Sequence, residues 1–372
     1  MPGVYISFPF CAQKCTFCNF ASGVFPPGLE QQYLEVLRSE VERHAFAWRP
    51  ETLYIGGGTP SRIPVAELER ILRPIPGRPW SEATVEAAPG SVTPEKAAAW
   101  VAAGINRVSL GVQSWYDDDL KLLNRRHNSA QASAALEMIF KAGFGNVTID
   151  LIYGIPGMGT ERWESNLDKT LMTGISHLSA YHMTIEKGTV FGKMKEKDLL
   201  REIDEEESTA QFNMLIDKTG SSGFIQYEIS NFAKPGFFSV HNTNYWKQVP
   251  YLGLGPSAHS FNSYSRQWNV RDLKKYIKGI NGRREFFERE ELDLKTRFNE
   301  YAMTSLRTMW GMDLEYVEKT FEKEGYDYVI NLAGKYIGYG LMKQEKNTLV
   351  LTNQGKMISD NIISEFMMPA DN

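Results

Sequence analysis

Through the first half of the chain, short apolar or alternating runs are separated by longer stretches in which apolar residues return every three or four positions. The first spacing is that of a strand and the second that of one helix face. Six runs predict strands: "GVYISF" near residue 5, "TLYIGG" near 54, "ATVEAA" near 85, "RVSLGV" near 109, "NVTIDLIYG" near 150 and "LSAYHMTI" near 181. Between the first two, residues 29–47 predict a helix, with Leu34, Leu37, Val41 and Ala45 at helical spacing. Strands alternating with helices make a parallel sheet of βα units. Six such units predict an α/β fold, an incomplete (β/α)6 barrel in which chemistry collects at the C-terminal ends of the strands.

From about residue 268 the pattern turns helical. "TRFNEYAMTSLRTMWGM" predicts one helix with Phe298, Ala302, Leu306 and Met309 on a face and Gly311 closing it. A second helix runs through "LEYVEKTFEKEGY", followed by a short strand pair around "EKNT" and a last helix. The expected organisation is a core barrel over 1–230, a connecting segment over 231–267 and a C-terminal helical domain over 268–372. The acidic stretch "REIDEEES" reads as a solvated helix start, with Asp204 and Glu205 to Glu207 complementing the dipole.

Composition narrows the function classes. The chain is 42% hydrophobic and 23% charged with a net charge of −4, ordinary for a globular protein and without the basic excess of a nucleic-acid binder. No apolar run approaches the ~20 residues that span a bilayer. "MPGVYISFPF" lacks the features of a signal peptide. A cytoplasmic protein is expected, with a peripheral membrane contact and a homodimer left open.

The chemistry begins in "YISFPFCAQKCTFCNF". Cys11, Cys15 and Cys18 are the chain's 3 cysteines, and an odd number in a reducing compartment speaks against a disulfide framework. Structural zinc would want a fourth ligand, and the nearest histidine in sequence is His44. Iron–sulfur clusters take thiolates, usually four, so three would leave one iron open for a ligand. Further along, "GGGTPS" offers close backbone approach at Gly56, Gly57 and Gly58. Glu86 ends the third run, Gln113 the fourth, Arg125 follows in the next loop, and Asp150 lies inside an apolar strand where an unpaired carboxylate is expensive. All of them fall on the rim that the barrel rule selects.

The C-x3-C-x2-C spacing, with Phe17 before the last cysteine, resembles the radical S-adenosylmethionine (SAM) enzymes. In that family SAM chelates the fourth iron of a [4Fe–4S] cluster and is cleaved to a 5′-deoxyadenosyl radical. The blocks "YISFPFC", "YIGGGTPS", "VEAAPG", "RVSLGVQSW", "NRRH" and "IDLIYGIPG" resemble its coproporphyrinogen-dehydrogenase-like branch. The resemblance implies cluster ligation by the three cysteines and SAM contacts at Tyr5, Phe17, Gly57, Gly58, Thr59, Glu86, Gln113, Arg125 and Asp150. It also implies an electron donor such as a flavodoxin or ferredoxin, and a winged-helix-like C-terminal domain.

That branch holds two functional classes, an oxygen-independent coproporphyrinogen III dehydrogenase and a haem chaperone. The dehydrogenase motif carries a further cysteine two residues after the last ligand, where this chain has Phe20. The dehydrogenase also has a long segment before its first cysteine, against ten residues here. "HNTNYW", His241 to Trp246, matches the H-N-x-x-Y-W pattern of the chaperone. The expected function is therefore haem binding and delivery to haem-accepting proteins, with oxidative decarboxylation of coproporphyrinogen III as the alternative. His241 is the first candidate haem ligand, with Tyr245 and Trp246 as flat neighbours, and His259 in "GPSAHSF" is the second. His44, His177 and His182 fit ordinary helix and strand positions.

Overall fold

The computed structural model describes residues 2–44, 46, 48–282 and 284–369. Six parallel strands stand side by side in chain order: β1 (Gly3–Phe8), β2 (Thr52–Gly57), β3 (Glu82–Ala87), β4 (Arg107–Gln113), β5 (Asn146–Tyr153) and β6 (His177–His182). Beyond β6 the sheet adds β7 (Ile225–Gln226) and β8 (Asn231–Ala233). Beyond β1 it adds β9 (Tyr251–Leu254), parallel to β1, then the antiparallel β10 (His259–Phe261), β11 (Ser265–Asn269) and β12 (Phe287–Glu291). The order is β12-β11-β10-β9-β1-β2-β3-β4-β5-β6-β8-β7, an open sheet rather than a closed barrel. The stretch 231–267 thus carries sheet strands on both margins of the barrel.

Strand parity organises the interior. Val4, Ile6 and Phe8 on β1, Leu53 and Ile55 on β2, and Val147, Ile149 and Leu151 on β5 belong to the apolar core that the helices share. The alternate positions are polar and meet one another across the barrel. At the N-terminal ends of the strands, Arg107 is almost fully buried, donating to Thr84 Oγ1 at 3.4 Å and Thr148 Oγ1 at 2.5 Å, with Glu82 3.8 Å away. One step higher, Tyr5 stacks on Tyr54, Tyr54 Oη donates to Glu86, and Ser109 Oγ donates to Asp150. The interior is a polar stack enclosed by an apolar shell.

The first helix spans Leu29–Arg43 and buries Leu34, Leu37 and Val41 as its periodicity requires; Ala45 lies outside the described residues. Its Glu40 is buried against Gly255 N at 2.8 Å, Asn269 Nδ2 at 3.1 Å and the Tyr276 hydroxyl, tying the barrel to the β9–β11 extension. The helix Glu205–Ser221 starts on Asp204, whose carboxylate accepts from Glu207 N at 2.8 Å. The edge strand β12 exposes Glu288, Arg289, Glu290 and Glu291, charges that discourage pairing with another sheet.

A second apolar core gathers Phe298, Leu306, Val317, Val329, Leu349, Ile362 and Phe366. Here β13 (Met312–Asp313), β14 (Met342–Glu345) and β15 (Thr348–Leu351) form a small sheet in the order β13-β15-β14 beside helices, the winged-helix-like arrangement. The helix predicted through residue 310 ends at Ser305, where Thr304 and Ser305 hydroxyls turn back onto the carbonyls of Glu300 and Tyr301. Met309, expected on its buried face, is 41% exposed. Among the described residues no helix is long and apolar enough to cross a membrane.

The buried Glu82 carboxylate accepts from Ser239 Oγ at 3.0 Å, Val240 N at 2.8 Å and His241 N at 2.9 Å, fixing the helix Val240–Trp246 beneath the barrel. Removing it strands Arg107 as well. Glu82→Ala is expected to destabilise the fold by about 3–5 kcal/mol in urea unfolding, whereas Ser239→Ala costs about 1 kcal/mol through the lost cap.

Candidate cofactor site at the mouth of the barrel

Each strand from β1 to β6 delivers residues to one cavity of about 420 Å³ at its C-terminal end. Cys11, Cys15, Phe17 and Cys18 come from the loop after β1, Gly57, Gly58 and Thr59 from the end of β2, and Glu86 from β3. Gln113 ends β4, Arg125 follows in the next loop, and Asp150 lies on β5. The structure therefore gathers the expected residues at one place, with one exception. Tyr5 lies lower on β1, stacked on Tyr54, and lines a different cavity with Tyr245, Trp246 and His259.

The cysteine loop is held in shape by the loop after β4. Thr16 donates to Leu122 and Leu123 carbonyls at 3.0 and 3.2 Å, while Asn124 Nδ2 donates to Lys14 O at 2.8 Å. Arg125 then reaches Cys15 Sγ at 3.3 Å through one guanidinium nitrogen and Gly111 O at 2.9 Å through the other. This contact fixes the position of the Cys15 side chain at the cavity. The glycine loop fits closely on this frame. Gly57 has φ +114°, a conformation that favours glycine, and a Cβ on Gly58 would fall 2.8 Å from Phe10 O and 3.0 Å from Cys11 Sγ.

Two carboxylates point into the cavity without an ion-pair partner among the described residues. Glu86 accepts from Tyr54 Oη and Gly57 N, both at 3.0 Å; burial, with the nearby Asp150 charge, pushes its carboxyl up to about 7. Asp150 accepts from Ser109 Oγ at 3.1 Å and is likewise raised, chiefly by burial. Gln113 takes φ +70° at the end of β4, where the register with β5 shifts, a conformation uncommon for a residue with a side chain. Strain of this kind concentrates at ligand sites.

The residues fit the cofactors that the resemblance implies. Three half-buried free thiols border one cavity, and among the described residues no His, Cys, Asp or Glu group is close enough to hold a single metal ion. A cubane cluster spreads its cysteine ligands more widely than one ion does, and three ligands leave an iron open. SAM is cationic at its sulfonium and amino groups, which suits two buried carboxylates that lack a cation. Sequence reasoning missed Ser109, Tyr181 and His182, which also line the cavity. The rule that strand ends carry the chemistry, applied to β6 as it was to β3 and β4, would have found the last two.

The candidate haem residues are divided by the structure. His241 is 1% exposed, and both ring nitrogens are occupied, Nδ1 with Thr52 Oγ1 and Nε2 with Tyr245 Oη, each at 2.8 Å. Burial holds it well below the usual imidazole range, at about 3, where it stands under β2. Tyr245 and Trp246 line a cavity, and His259 lines the same one.

An open parallel barrel with a cysteine triad at its mouth places the chain in a known class: residues 5–169 match the radical SAM superfamily. The chain is 31% identical over 368 residues to heme chaperone HemW of Lactococcus lactis, covering 98% of this chain and 97% of that one. It is 29% identical over 380 residues to heme chaperone HemW of Bacillus subtilis, covering 99% of each. The chain belongs to the HemW family, and its cofactors are those of radical SAM proteins, a [4Fe–4S] cluster and SAM. Among solved structures, coproporphyrinogen III oxidase (HemN) of Escherichia coli superposes with a TM-score of 0.85 at 21% identity, covering 99% of this chain and 90% of that one. At that identity the likeness speaks for the fold alone.

Since burial pushes the Glu86 carboxyl up to about 7, SAM binding to anaerobically reconstituted protein should tighten as pH rises from 6 to 8 and ionises this carboxylate. In Glu86→Gln the tightening should disappear and affinity at pH 8 should fall about tenfold, both read by calorimetric titration. Cys15→Ser should abolish the brown chromophore and the paramagnetic signal of the reduced cluster.

Proposed function

We propose that this protein carries haem to acceptor proteins and holds a SAM-ligated [4Fe–4S] cluster at the barrel mouth. The observation that carries the reading is likeness along nearly the whole chain to relatives named as heme chaperones. Two local features support it: Phe20 where the decarboxylating class places a further cysteine, and the "HNTNYW" block.

When bound, the cluster supplies an electron that can cleave SAM. In this reading Cys11, Cys15 and Cys18 ligate three irons, and Arg125 holds Cys15 in position. Gly57, Gly58, Thr59, Glu86, Gln113 and Asp150 receive SAM, with the two carboxylates facing its positive groups and Phe17 at the edge of the cavity. Phe20 is 66% exposed where it lines that cavity, a large apolar side chain free to meet an incoming surface. The partners proposed are haem-accepting proteins and a reductant such as a flavodoxin or ferredoxin, in the cytosol.

Haem titration of the reconstituted protein, followed by its absorption spectrum, separates the carrier from the decarboxylase when set beside an assay of coproporphyrinogen III. Stoichiometric haem uptake without product is expected. Conversion of coproporphyrinogen at enzymatic rates would refute the carrier reading.

A further inference from the structure

Two adjoining cavities lie where β9–β11 meet the C-terminal unit, away from the cysteines. One of about 530 Å³ is bordered by Tyr5, Tyr245, Tyr251 and His259, the other of about 350 Å³ by Lys247, Arg297 and Trp310. Trp246, Gln248, Phe261 and Glu300 line both, so the two are parts of one groove.

The chemistry along this groove is unusual for packing alone. His259 is exposed, stacks on Trp268 at a ring separation of 6.0 Å, and its ring nitrogens have no hydrogen-bond partner among the described residues. The indole N–H of Trp246 is buried and also lacks a partner. Lys247 Nζ sits 4.5 Å over the Trp310 ring, and the Arg297 guanidinium 5.9 Å over that of Tyr264. Neither cation has an ion-pair partner among the described residues. Arg266, in contrast, is fixed by Glu300 at 2.8 Å and the Tyr251 hydroxyl at 2.9 Å and belongs to the wall.

We propose that this groove is the haem site, with His259 rather than His241 as the axial ligand and with Lys247 and Arg297 pairing the propionates. A haem has two flat apolar faces, an iron that accepts an imidazole, and two carboxylates on one edge. The groove presents aromatic walls, an unoccupied imidazole toward one end and two unpaired cations toward the other. His241 would have to break two hydrogen bonds and leave a buried position to do the same. The proposal rests on the haem-carrying reading and locates where the cargo sits.

Titration of ferric haem into the full-length, cluster-loaded protein tests it by absorbance and electron paramagnetic resonance. His259→Ala should move the Soret band and change the iron spin state, and added imidazole should restore both. SAM binding and the cluster signal of that variant should be unchanged. Lys247→Glu combined with Arg297→Glu should weaken haem about tenfold or more while leaving haem dimethyl ester, which lacks the carboxylates, unaffected. If native protein takes up haem and His259→Ala gives the native spectrum, the placement is wrong while the carrier function stands. If native protein takes up no haem, the carrier reading itself falls, and the placement with it.

Discussion

The period of two along parallel strands sets the conditions for everything else in this molecule. Helices cover the outer face, so the outward set of strand residues is apolar and the inward set must fill the barrel. Here the inward set is polar, and each such group must find a partner or remain at a cost. Toward the N-terminal ends of the strands the buried charges are paired within the chain, although Arg107 Nε, Asn146 Oδ1 and His177 Nδ1 have no hydrogen-bond partner among the described residues. Arg107 is enclosed by Thr84, Thr148 and Glu82, and Glu82 in turn holds the helix that begins at Ser239. Toward the C-terminal ends the charges are left unpaired, since Glu86 and Asp150 have hydroxyl and N–H donors but no ion-paired cation among the described residues. The end with a paired charge makes a fold, and the end with two carboxylates lacking a cation makes a site.

The two sites share strand β1. Through β2 it joins the barrel, and through β9 it joins the extension that carries His259. Its last residue, Phe8, leads into the cysteine loop, while Tyr5 in its middle reaches the aromatic groove. The cluster site and the groove proposed for haem both border this strand. The Glu40 network adds a second tie, from the first helix to Gly255 and Asn269.

The six barrel strands were legible because their runs are long enough for the period of two to register. The cysteine triad, the glycine loop, Glu86, Gln113, Arg125 and Asp150 were legible because barrel strand ends are a small set of positions. The extension was not. "YLGLGPSAHSF" yields two strands of four and three residues, too short for a period to register, and their pairing partners lie hundreds of residues away in β1 or across a tight turn. The surroundings of His241 were not legible for a related reason. A motif reports that a residue type is needed, whereas only the fold reveals that both of its nitrogens face Thr52 and Tyr245.

The central claim is that the barrel mouth holds a cluster with three protein ligands and one iron left for SAM. Mössbauer spectroscopy of 57Fe-reconstituted protein, recorded with and without SAM, tests this most directly. The account predicts that SAM changes the isomer shift of one iron in four and leaves the other three as they were. Four irons that stay equivalent when SAM is added would contradict it.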